Sequence, residues 1–382
     1  MRIFHRKYNL FFAVNLLFFT SLFHPDHLSA APSAGDETTS GQPGAQNGLW
    51  EHYSLFSIVR ALAFDDQTRT LWVGTSNGLL RYNLSTGKQH AYTTKSGLLS
   101  NIVHTLQIAP NGDVWVGTIG GGLSRLRGEQ WQTYTPYGAG STVSYGKHWQ
   151  AYPIGKGLGD LWVYDIHFDP AGTMWVATWK GVSRFDGKAF RTYTTEDGLV
   201  DKWVYTLSQD KKGAFWFGTE AGVSRFDGKT WRSWDNKDGV GANIKMTVPP
   251  VAQGLPSTPR HHAGDHKPLS YNPNYIVSST IDSNDHLWVG TLGAGLSHFD
   301  GEKWTSYSKQ DGLAGNMVHA LKFDAKGILW IGTDGGVSRF DGKIFSNLTK
   351  KDGIGGVFSI EIDHQGHKWF GSFGGVSQYR GK

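Results

Sequence analysis

Side chains able to bind a ligand lie beside a string that recurs along this sequence, and they differ from one copy to the next. The residue after the Thr or Ser that ends the string is Ser76, Ile119, Trp179, Glu220, Leu292, Asp334 or Phe373. A second variable position, before the string, holds Arg60, His104, Tyr164, Tyr205, Val277, His319 or Phe358. Positions with a purely structural role repeat one residue type, whereas an asymmetric pocket needs side chains of different charge and shape.

We therefore predict a ligand site made of the charged and aromatic members of both sets and one adjacent lysine. Its members are Arg60, His104, Tyr164, Trp179, Lys180, Tyr205, Glu220, His319, Asp334, Phe358 and Phe373. Stacking and hydrogen bonding by these groups would suit a sugar, an aromatic molecule or an anion. Two other interpretations stay open: the loop tips vary without a function, or the side chains only fill the axis of the fold together with water.

Metal-binding and catalytic patterns are weak. His261, His262 and His266 are weak candidates for metal ligands, but only Asp265 accompanies them, so a polar loop is favoured. Residues 282–285 lack the glycine and the distal Glu of a calcium loop, and they occupy an ordinary turn. The sequence contains no Cys and no nucleophile elbow, phosphate loop or His-Glu-x-x-His string. We predict no cofactor and assign no catalytic residue.

The recurrent string defines the elements that must position these residues. It has seven copies, centred on Trp72, Trp115, Trp175, Trp216, Trp288, Trp330 and Trp369. A unit of roughly forty residues is the period of a four-stranded propeller blade. The 51 Gly and 16 Trp residues favour short strands and tight turns over helices. The sequence thus predicts an all-β, seven-bladed β-propeller with four antiparallel strands per blade.

The sixth copy shows the four predicted strands, which are Val318 to Phe323, Leu329 to Thr333, Gly336 to Phe340 and Ile344 to Leu348. Between the last two, Asp-Gly at 341–342 predicts a two-residue hairpin turn in which both residues have positive φ.

The two ends of the repeat region indicate how the ring closes. The seventh copy stops one strand short, whereas residues 50–53 have the pattern of a fourth strand. We predict that this N-terminal strand completes the last blade, because closure removes unpaired sheet edges.

The first residues predict export. Basic residues precede an apolar run from Leu10 to Phe23, which is typical of a signal peptide over residues 1–30; an uncleaved anchor is the alternative. A flexible linker is expected over 31–46, and the propeller over 47–382 with insertions at about 136–160 and 241–273. We expect a periplasmic or secreted protein without membrane insertion after cleavage. The net charge of +5 is weak support for nucleic-acid binding.

Two strings carry a family resemblance. Leu-Trp-Ile-Gly-Thr-Asp-Gly-Gly-Val-Ser-Arg-Phe-Asp at 329–341 and Asp-Gly-Leu-Ala-Gly-Asn-Met-Val at 311–318 resemble the two-component regulator propeller repeat family, over residues 47–382. Members typically form periplasmic ligand-sensing regions of membrane-bound histidine kinases, so the resemblance implies a role in sensing. No kinase segment follows Lys382, and we expect a freestanding binding protein. Its partner would be a small molecule or glycan, or a cell-envelope protein such as a membrane sensor kinase, and not nucleic acid.

Two other functions stay open. Streptogramin lyases are similar seven-bladed propellers, and by this fold-level analogy Glu220 with His104 or His319 would act as general base and acid. A scaffold in the cell envelope would instead bind a protein. Whichever applies, both insertions fall in linkers between blades, so we expect them and the function at the end of the blades that carries the loops between strands two and three.

Overall fold

The structure, a computed structural model, describes residues 43–47, 49–143, 146–151, 156–244 and 272–381. The predicted signal peptide, residues 245–271 of the second insertion, and with them His261, His262 and His266 lie outside the described residues. Gly41–Ile244 and Asn272–Lys382 form one compact unit, to which the following description applies.

The described residues form 29 strands and three short 3₁₀ helices. The strands of the first half are β1 (Pro43–Asn47), β2 (Trp50–Asp65), β3 (Thr70–Thr75), β4 (Gly78–Asn83), β5 (Gln89–Tyr92), β6 (Val103–Ile108), β7 (Val114–Thr118), β8 (Gly122–Arg127), β9 (Gln130–Thr135), β10 (Gly138–Val143), β11 (Gly146–Ala151), β12 (Val163–Phe168), β13 (Met174–Thr178), β14 (Gly181–Phe185) and β15 (Phe190–Tyr193).

The strands of the second half are β16 (Val204–Gln209), β17 (Phe215–Thr219), β18 (Gly222–Phe226), β19 (Trp231–Trp234), β20 (Ile276–Ile281), β21 (Leu287–Thr291), β22 (Leu296–Phe299), β23 (Trp304–Tyr307), β24 (Val318–Phe323), β25 (Leu329–Thr333), β26 (Gly336–Phe340), β27 (Phe345–Leu348), β28 (Val357–Ile362) and β29 (Lys368–Tyr379). The 3₁₀ helices are Asn236–Asp238, Lys309–Asp311 and Lys350–Asp352. None of the helices in the described ranges is long and apolar enough to span a membrane.

The strands pair antiparallel into six sheets. Four sheets have four strands each, β12 to β15, β16 to β19, β20 to β23 and β24 to β27. A six-stranded sheet contains β6 to β11, and a seven-stranded sheet has the order β28-β29-β2-β3-β4-β5 with β1 beside β2. The prediction of an all-β fold built from four-stranded antiparallel units is confirmed.

The sixth copy of the repeat has the four strands expected, but its hairpin turn differs from the prediction. Gly342 has a φ of 93°, whereas among the described residues the non-glycine positions with positive φ are Arg69 and Asp285. Asp341 therefore needs no positive φ. Its Oδ1 instead accepts the backbone N–H groups of Lys343 at 2.9 Å and Ile344 at 2.8 Å. The aspartate holds a wider turn by hydrogen bonding its own backbone, so the expectation of two positive φ angles was wrong.

The N-terminal strand β2 is long and serves two partners. Its first part pairs with β29, from Trp50 opposite Tyr379 to Ser54 opposite Gly375. Its second part, from Val59 to Asp65, pairs with β3. The backbone N–H of Arg380 also donates to the carbonyl of Leu49 at 2.8 Å. Residues near 50 are thus hydrogen-bonded to residues near 380.

Buried apolar clusters lie between consecutive units of the repeat. In one of them Trp288 and Leu296 of the fifth unit pack with Val318 and Ile331 of the sixth. Another joins the two ends of the repeat region, since Val59 and Leu62 pack with Trp369 and Val376. The repeated Trp side chains are therefore core residues: Trp330 is 1 % exposed and Trp369 is fully buried.

Two segments differ from the expectations for linkers. The first insertion contributes β10 and β11, which extend the second sheet beyond β9 in regular register, from Gly138 opposite Thr135 to Thr142 opposite Trp131. It therefore lies along the outer edge of that sheet and does not cover the end where the loops between strands two and three emerge. The expected linker 31–46 runs into β1, which pairs with β2. Strand pairing, which depends on the partner, is not visible in the composition of either segment.

Candidate functional site

The predicted residues before each string are all bulged residues of a β-strand. In every unit the first strand shifts register against the second by one residue, at Arg60, His104, Tyr164, Tyr205, Val277, His319 and Phe358. The pairing of Val318 with Thr333 resumes with Ala320 opposite Gly332, so His319 is left without an opposite residue. A bulge redirects one side chain out of the regular pleat, and bulges are frequent beside functional sites. The backbone thus delivers seven variable side chains to equivalent places.

The predicted residues after each string start the loop between strands two and three. The Thr that ends strand two fixes this loop, since its hydroxyl donates to the glycine carbonyl that follows, as Thr333 does to Gly336 at 3.0 Å. The next backbone N–H then donates to the carbonyl two residues before the bulge, as Asp334 does to Met317 at 3.1 Å. Both predicted sets therefore lie at the same end of each sheet.

Neighbouring bulged residues contact one another through their rings. The ring centroid of Tyr164 lies 4.9 Å from that of His104 and 4.8 Å from that of Tyr205, both edge to face. Tyr205 continues to Tyr275 at 4.8 Å. Trp179 stacks on Tyr164 at 6.3 Å. These side chains form an aromatic wall, defined here as His104, Tyr164, Trp179, Tyr205 and Tyr275.

A second group of rings contains His319, Phe358 and Phe373. The ring of Phe358 lies 5.0 Å from His319 and 5.3 Å from Phe373. Burial and then the charge of Arg60 lower the pKa of His104 to about 3 and the pKa of His319 to about 4. Both imidazoles are therefore neutral at pH 7. The charge of Arg60 thus acts on histidines of both the second and the sixth units.

Glu220 adds an acidic group to the aromatic wall. Its carboxylate accepts a hydrogen bond from Tyr205 Oη at 3.3 Å. Burial, followed by the charges of Tyr275 and its neighbours, raises the pKa of Tyr205. The phenol therefore stays protonated and remains a donor at any physiological pH. Asn272 holds the backbone of Glu220 by donating to its carbonyl at 2.8 Å.

A chain of polar groups lies one residue beyond the bulges. Asp165, next to Tyr164, accepts the N–H of Leu207 at 2.8 Å and the hydroxyl of Thr206 at 3.3 Å. Thr206 in turn lies 2.8 Å from Ser279 Oγ. Burial raises the pKa of Asp165 to about 6. These bonds join the first strands of the third, fourth and fifth units. They therefore restrict movement of the strands that carry Tyr164 and Tyr205.

The remaining predicted residues lie at the rim of this end. Lys180, Asp334 and Phe373 are exposed, and Phe373 is 46 % exposed. The sequence interpretation missed Tyr275 and Trp162, and Trp162 stacks on Trp179 with centroids 4.1 Å apart. Both lie two residues before a bulged residue, where the residue type also varies from copy to copy, so the same comparison would have found them.

A cleft of about 730 Å³ lies away from these residues, between the second and third units. Its lining includes Asn111 and Gly172 from turns between strands one and two, and Gly187 from a turn between strands three and four. In an antiparallel sheet these turns lie at the end opposite the bulges. The cleft is therefore separate from the predicted ligand site.

Comparisons with known proteins agree with this architecture. Residues 97–120, 157–180, 198–221 and 312–335 match the two-component regulator propeller family. No curated protein matches the chain. The extracellular domain of a putative hybrid two-component system from B. thetaiotaomicron is similar with a TM-score of 0.62 and 22% identity, over 85% of this chain and 39% of that one. The chain thus spans well under half of that structure.

Two further solved structures are similar in fold. Virginiamycin B lyase from Staphylococcus aureus has a TM-score of 0.57 and 15% identity, over 86% of this chain and 98% of the lyase. YCF48 bound to D1 peptide has a TM-score of 0.56 and 13% identity, over 89% of this chain and 99% of YCF48. At these identities the three structures show the propeller fold alone. The four repeat matches confirm the resemblance found in the sequence: four segments of the chain match the two-component regulator propeller family.

Proposed function

We propose that this chain is an exported, non-enzymatic ligand-binding β-propeller with a role in periplasmic sensing related to two-component signalling. The observation that carries the proposal is the row of bulges, which brings Arg60, His104, Tyr164, Tyr205 and His319 to one end of the fold. Residues with structural roles repeat one type from unit to unit, whereas the seven bulged positions hold five different residue types.

The proposal includes a ring of seven blades. The seven-stranded sheet would then comprise two blades that share β2, whose N-terminal part would complete the last blade. The pairing of Trp50 with Tyr379 supports this closure, as does the cluster that packs Val59 against Trp369. The bulged residues would line the axis of the ring.

The ligand would be a small molecule with a flat apolar part and an anionic or strongly accepting group. The aromatic wall supplies stacking faces, and the Arg60 guanidinium offers a planar set of N–H donors. The neutral imidazoles of His104 and His319 can donate or accept without adding charge. Aromatic acids and sugar acids fit this combination.

A ligand screen by thermal shift tests the proposal. The chain from residue 31 onward would be screened against aromatic acids, sugar acids and neutral sugars, and hits measured by calorimetry. Arg60→Gln should weaken binding of a hit at least about tenfold, since a charge-assisted hydrogen bond contributes about 1.5–3 kcal/mol. Arg184→Gln is the matched control, because the Arg184 guanidinium lies over the Trp175 ring and Arg184 is not among the predicted site residues. Equal affinities of the two variants would contradict the assignment of the site.

Export is tested by the N-terminus of the mature protein. Cleavage after Ala30 would give a chain that begins at Ala31, found in the periplasm or the medium. A retained segment 1–30 in the membrane fraction would contradict cleavage and favour an anchor.

A protein partner is the second candidate function, and the exposure of Phe373 beside Phe358 favours it. YCF48, which has the same fold, is bound to a peptide in its structure. A cell-envelope protein such as a membrane sensor kinase would then dock on the rim. Crosslinking in the native envelope should capture a partner that Phe373→Ala loses, and capture that is unchanged by Phe373→Ala would contradict this candidate.

The lyase interpretation has a weaker basis. Histidines whose pKa lies near 3 or 4 are unprotonated at neutral pH and are therefore poor general acids, and the carboxylate of Glu220 is engaged by Tyr205. Incubation with quinupristin, the ligand of the S. aureus lyase structure, tests it directly. Turnover that is lost in Glu220→Gln would replace the non-enzymatic proposal.

A further inference from the structure

The fifth unit departs from the repeat at the position opposite its strand-two Trp. Five other units have arginine there, namely Arg81, Arg125, Arg184, Arg225 and Arg339. The fifth unit has His298 opposite Trp288. The replaced arginine has a defined role, which the fourth unit shows.

In the fourth unit the arginine neutralises a turn aspartate. Asp210 Oδ2 accepts Arg225 Nη2 at 3.0 Å and Trp216 Nε1 at 3.3 Å. The guanidinium thus compensates a carboxylate that is almost entirely buried, with its side chain 5% exposed.

In the fifth unit two imidazoles occupy the place of that guanidinium. Asp282 corresponds to Asp210, and its Oδ2 accepts Trp288 Nε1 at 3.2 Å. His286 Nδ1 lies 3.6 Å from Asp282 Oδ2, and His298 Nε2 lies 3.3 Å from His286 Nδ1. One atom from each of the three side chains lies within 4.8 Å of the others. The converging atoms are two nitrogens and one carboxylate oxygen.

We propose that Asp282, His286 and His298 form a binding site for a divalent first-row transition metal, for which Zn²⁺ is the natural probe. Tetrahedral zinc has bonds of about 2.0–2.2 Å to nitrogen and oxygen, so its ligand atoms lie roughly 3.3–3.5 Å apart. The separations of 3.3 and 3.6 Å match this spacing. Imidazole and carboxylate are ligands that zinc accepts, and three protein ligands leave one coordination position for water or an external group.

The ligands are held in position by the fold. The His298 ring stacks on Trp288 with centroids 4.1 Å apart. Asp282 Oδ1 accepts the N–H of His286 at 2.9 Å, which fixes the turn between strands one and two. Asp285 of the same turn accepts the N–H of Lys211 from the fourth unit at 2.7 Å. All three ligands are partly exposed, so an ion has access. The site lies at the turn end of the sheet, away from the bulges, and is independent of the ligand site proposed above.

The seventh unit contains a natural control. Asp363 and His367 occupy the positions of Asp282 and His286, with His367 Nδ1 3.1 Å from Asp363 Oδ2. The position of His298 is taken by Gln378 in the repeat, so the third ligand is missing.

Zinc binding by an untagged chain tests the proposal. All proteins would carry His261→Ala, His262→Ala and His266→Ala, which removes competing imidazoles of the second insertion. Competition with a chromophoric chelator should show one Zn²⁺ bound, and Co²⁺ should give the visible bands of a tetrahedral ion. His298→Arg restores the residue of five sister units and should weaken Zn²⁺ binding by more than about tenfold, because loss of even an outer partner of a metal site costs about 10- to 100-fold.

Two further variants keep the test decisive. His286→Ala should abolish the site even if His298→Arg folds poorly, whereas His367→Ala in the seventh unit should leave the affinity unchanged. Absence of Zn²⁺ binding in the starting protein, or equal binding by His286→Ala, would overturn the proposal. In that case the two imidazoles and the carboxylate form only a hydrogen-bonded substitute for the arginine.

Discussion

Replacement of Trp50 by alanine tests the contact between the N-terminal strand β2 and the C-terminal strand β29. Trp50 is 8% exposed, and its ring centroid lies 4.7 Å from that of Tyr379 and 6.0 Å from that of Phe370. It belongs to a buried cluster with Trp330 and Val357. Truncation of a buried Trp to Ala costs about 3–5 kcal/mol, because the cavity that remains is only partly filled by relaxation.

The expected change in melting temperature follows from the size of the chain. Unfolding entropy is about 2.1 cal/mol/K per residue, or about 0.7 kcal/mol/K for roughly 330 residues. A loss of about 3–5 kcal/mol therefore lowers the melting temperature by about 4–7 °C, which calorimetry resolves easily.

The control for Trp50→Ala is the adjacent exposed residue. Leu49 is 51% exposed, and Leu49→Ala should change stability by no more than about 0.5 kcal/mol. Deletion of residues 47–54 should likewise lower the melting temperature far more than deletion of residues 31–46. If Trp50→Ala melts within 1 °C of the parent, the lost packing energy is ~0 kcal/mol and the N-terminal strand does not close the ring. Equal melting temperatures of the two deletion variants would lead to the same conclusion.

Two further predictions concern pH and packing. The pKa values of His104 and His319 are lowered in the folded state, so the unfolded chain takes up protons first and stability falls with pH below about 6.5. Between pH 7.5 and pH 5 each histidine lowers the free energy of unfolding by about 2 kcal/mol, and the raised pKa of Asp165 offsets part of this loss. The free energy of unfolding of His319→Gln, measured in urea, should therefore depend less steeply on pH than that of the parent. Gly290→Ala places a Cβ against Ser278 and Val318 and should cost about 1–3 kcal/mol, whereas Gly355→Ala meets no atom within 4 Å and should be nearly neutral by the same measurement.

The sequence was sufficient for the repeat because it is periodic, and the same period selected the candidate site residues, whose role in binding stays a prediction. The variable position before each string selected His104 and Tyr164, and their rings lie 4.9 Å apart between centroids. The bulge itself was not predicted, since one extra residue in a strand leaves no distinctive residue type.

Features that depend on partners were missed for a physical reason. β10 and β11 form because β9 offers an edge, and nothing in residues 138–151 indicates that edge. His286 lies in the turn before β21 and His298 lies on β22, and the pairing of β21 with β22 brings their rings to 5.2 Å between centroids. A comparison of His298 with the arginines of its sister units would have indicated an exception, but not its neighbour His286.

The bulges also affect how such a protein can change. A bulged residue has no opposite residue in the neighbouring strand, so its side chain is not paired across the sheet. His104, Val277 and Phe358 occupy equivalent places, yet their side chains differ entirely, while Val103, Ile276 and Val357 beside them stay apolar and fully buried. Under the proposed function, recognition falls to the bulged residues and stability to the buried residues beside them. New binding specificities can arise by single substitutions at these seven positions. The same positions are the ones to randomise when a binder is engineered on this scaffold.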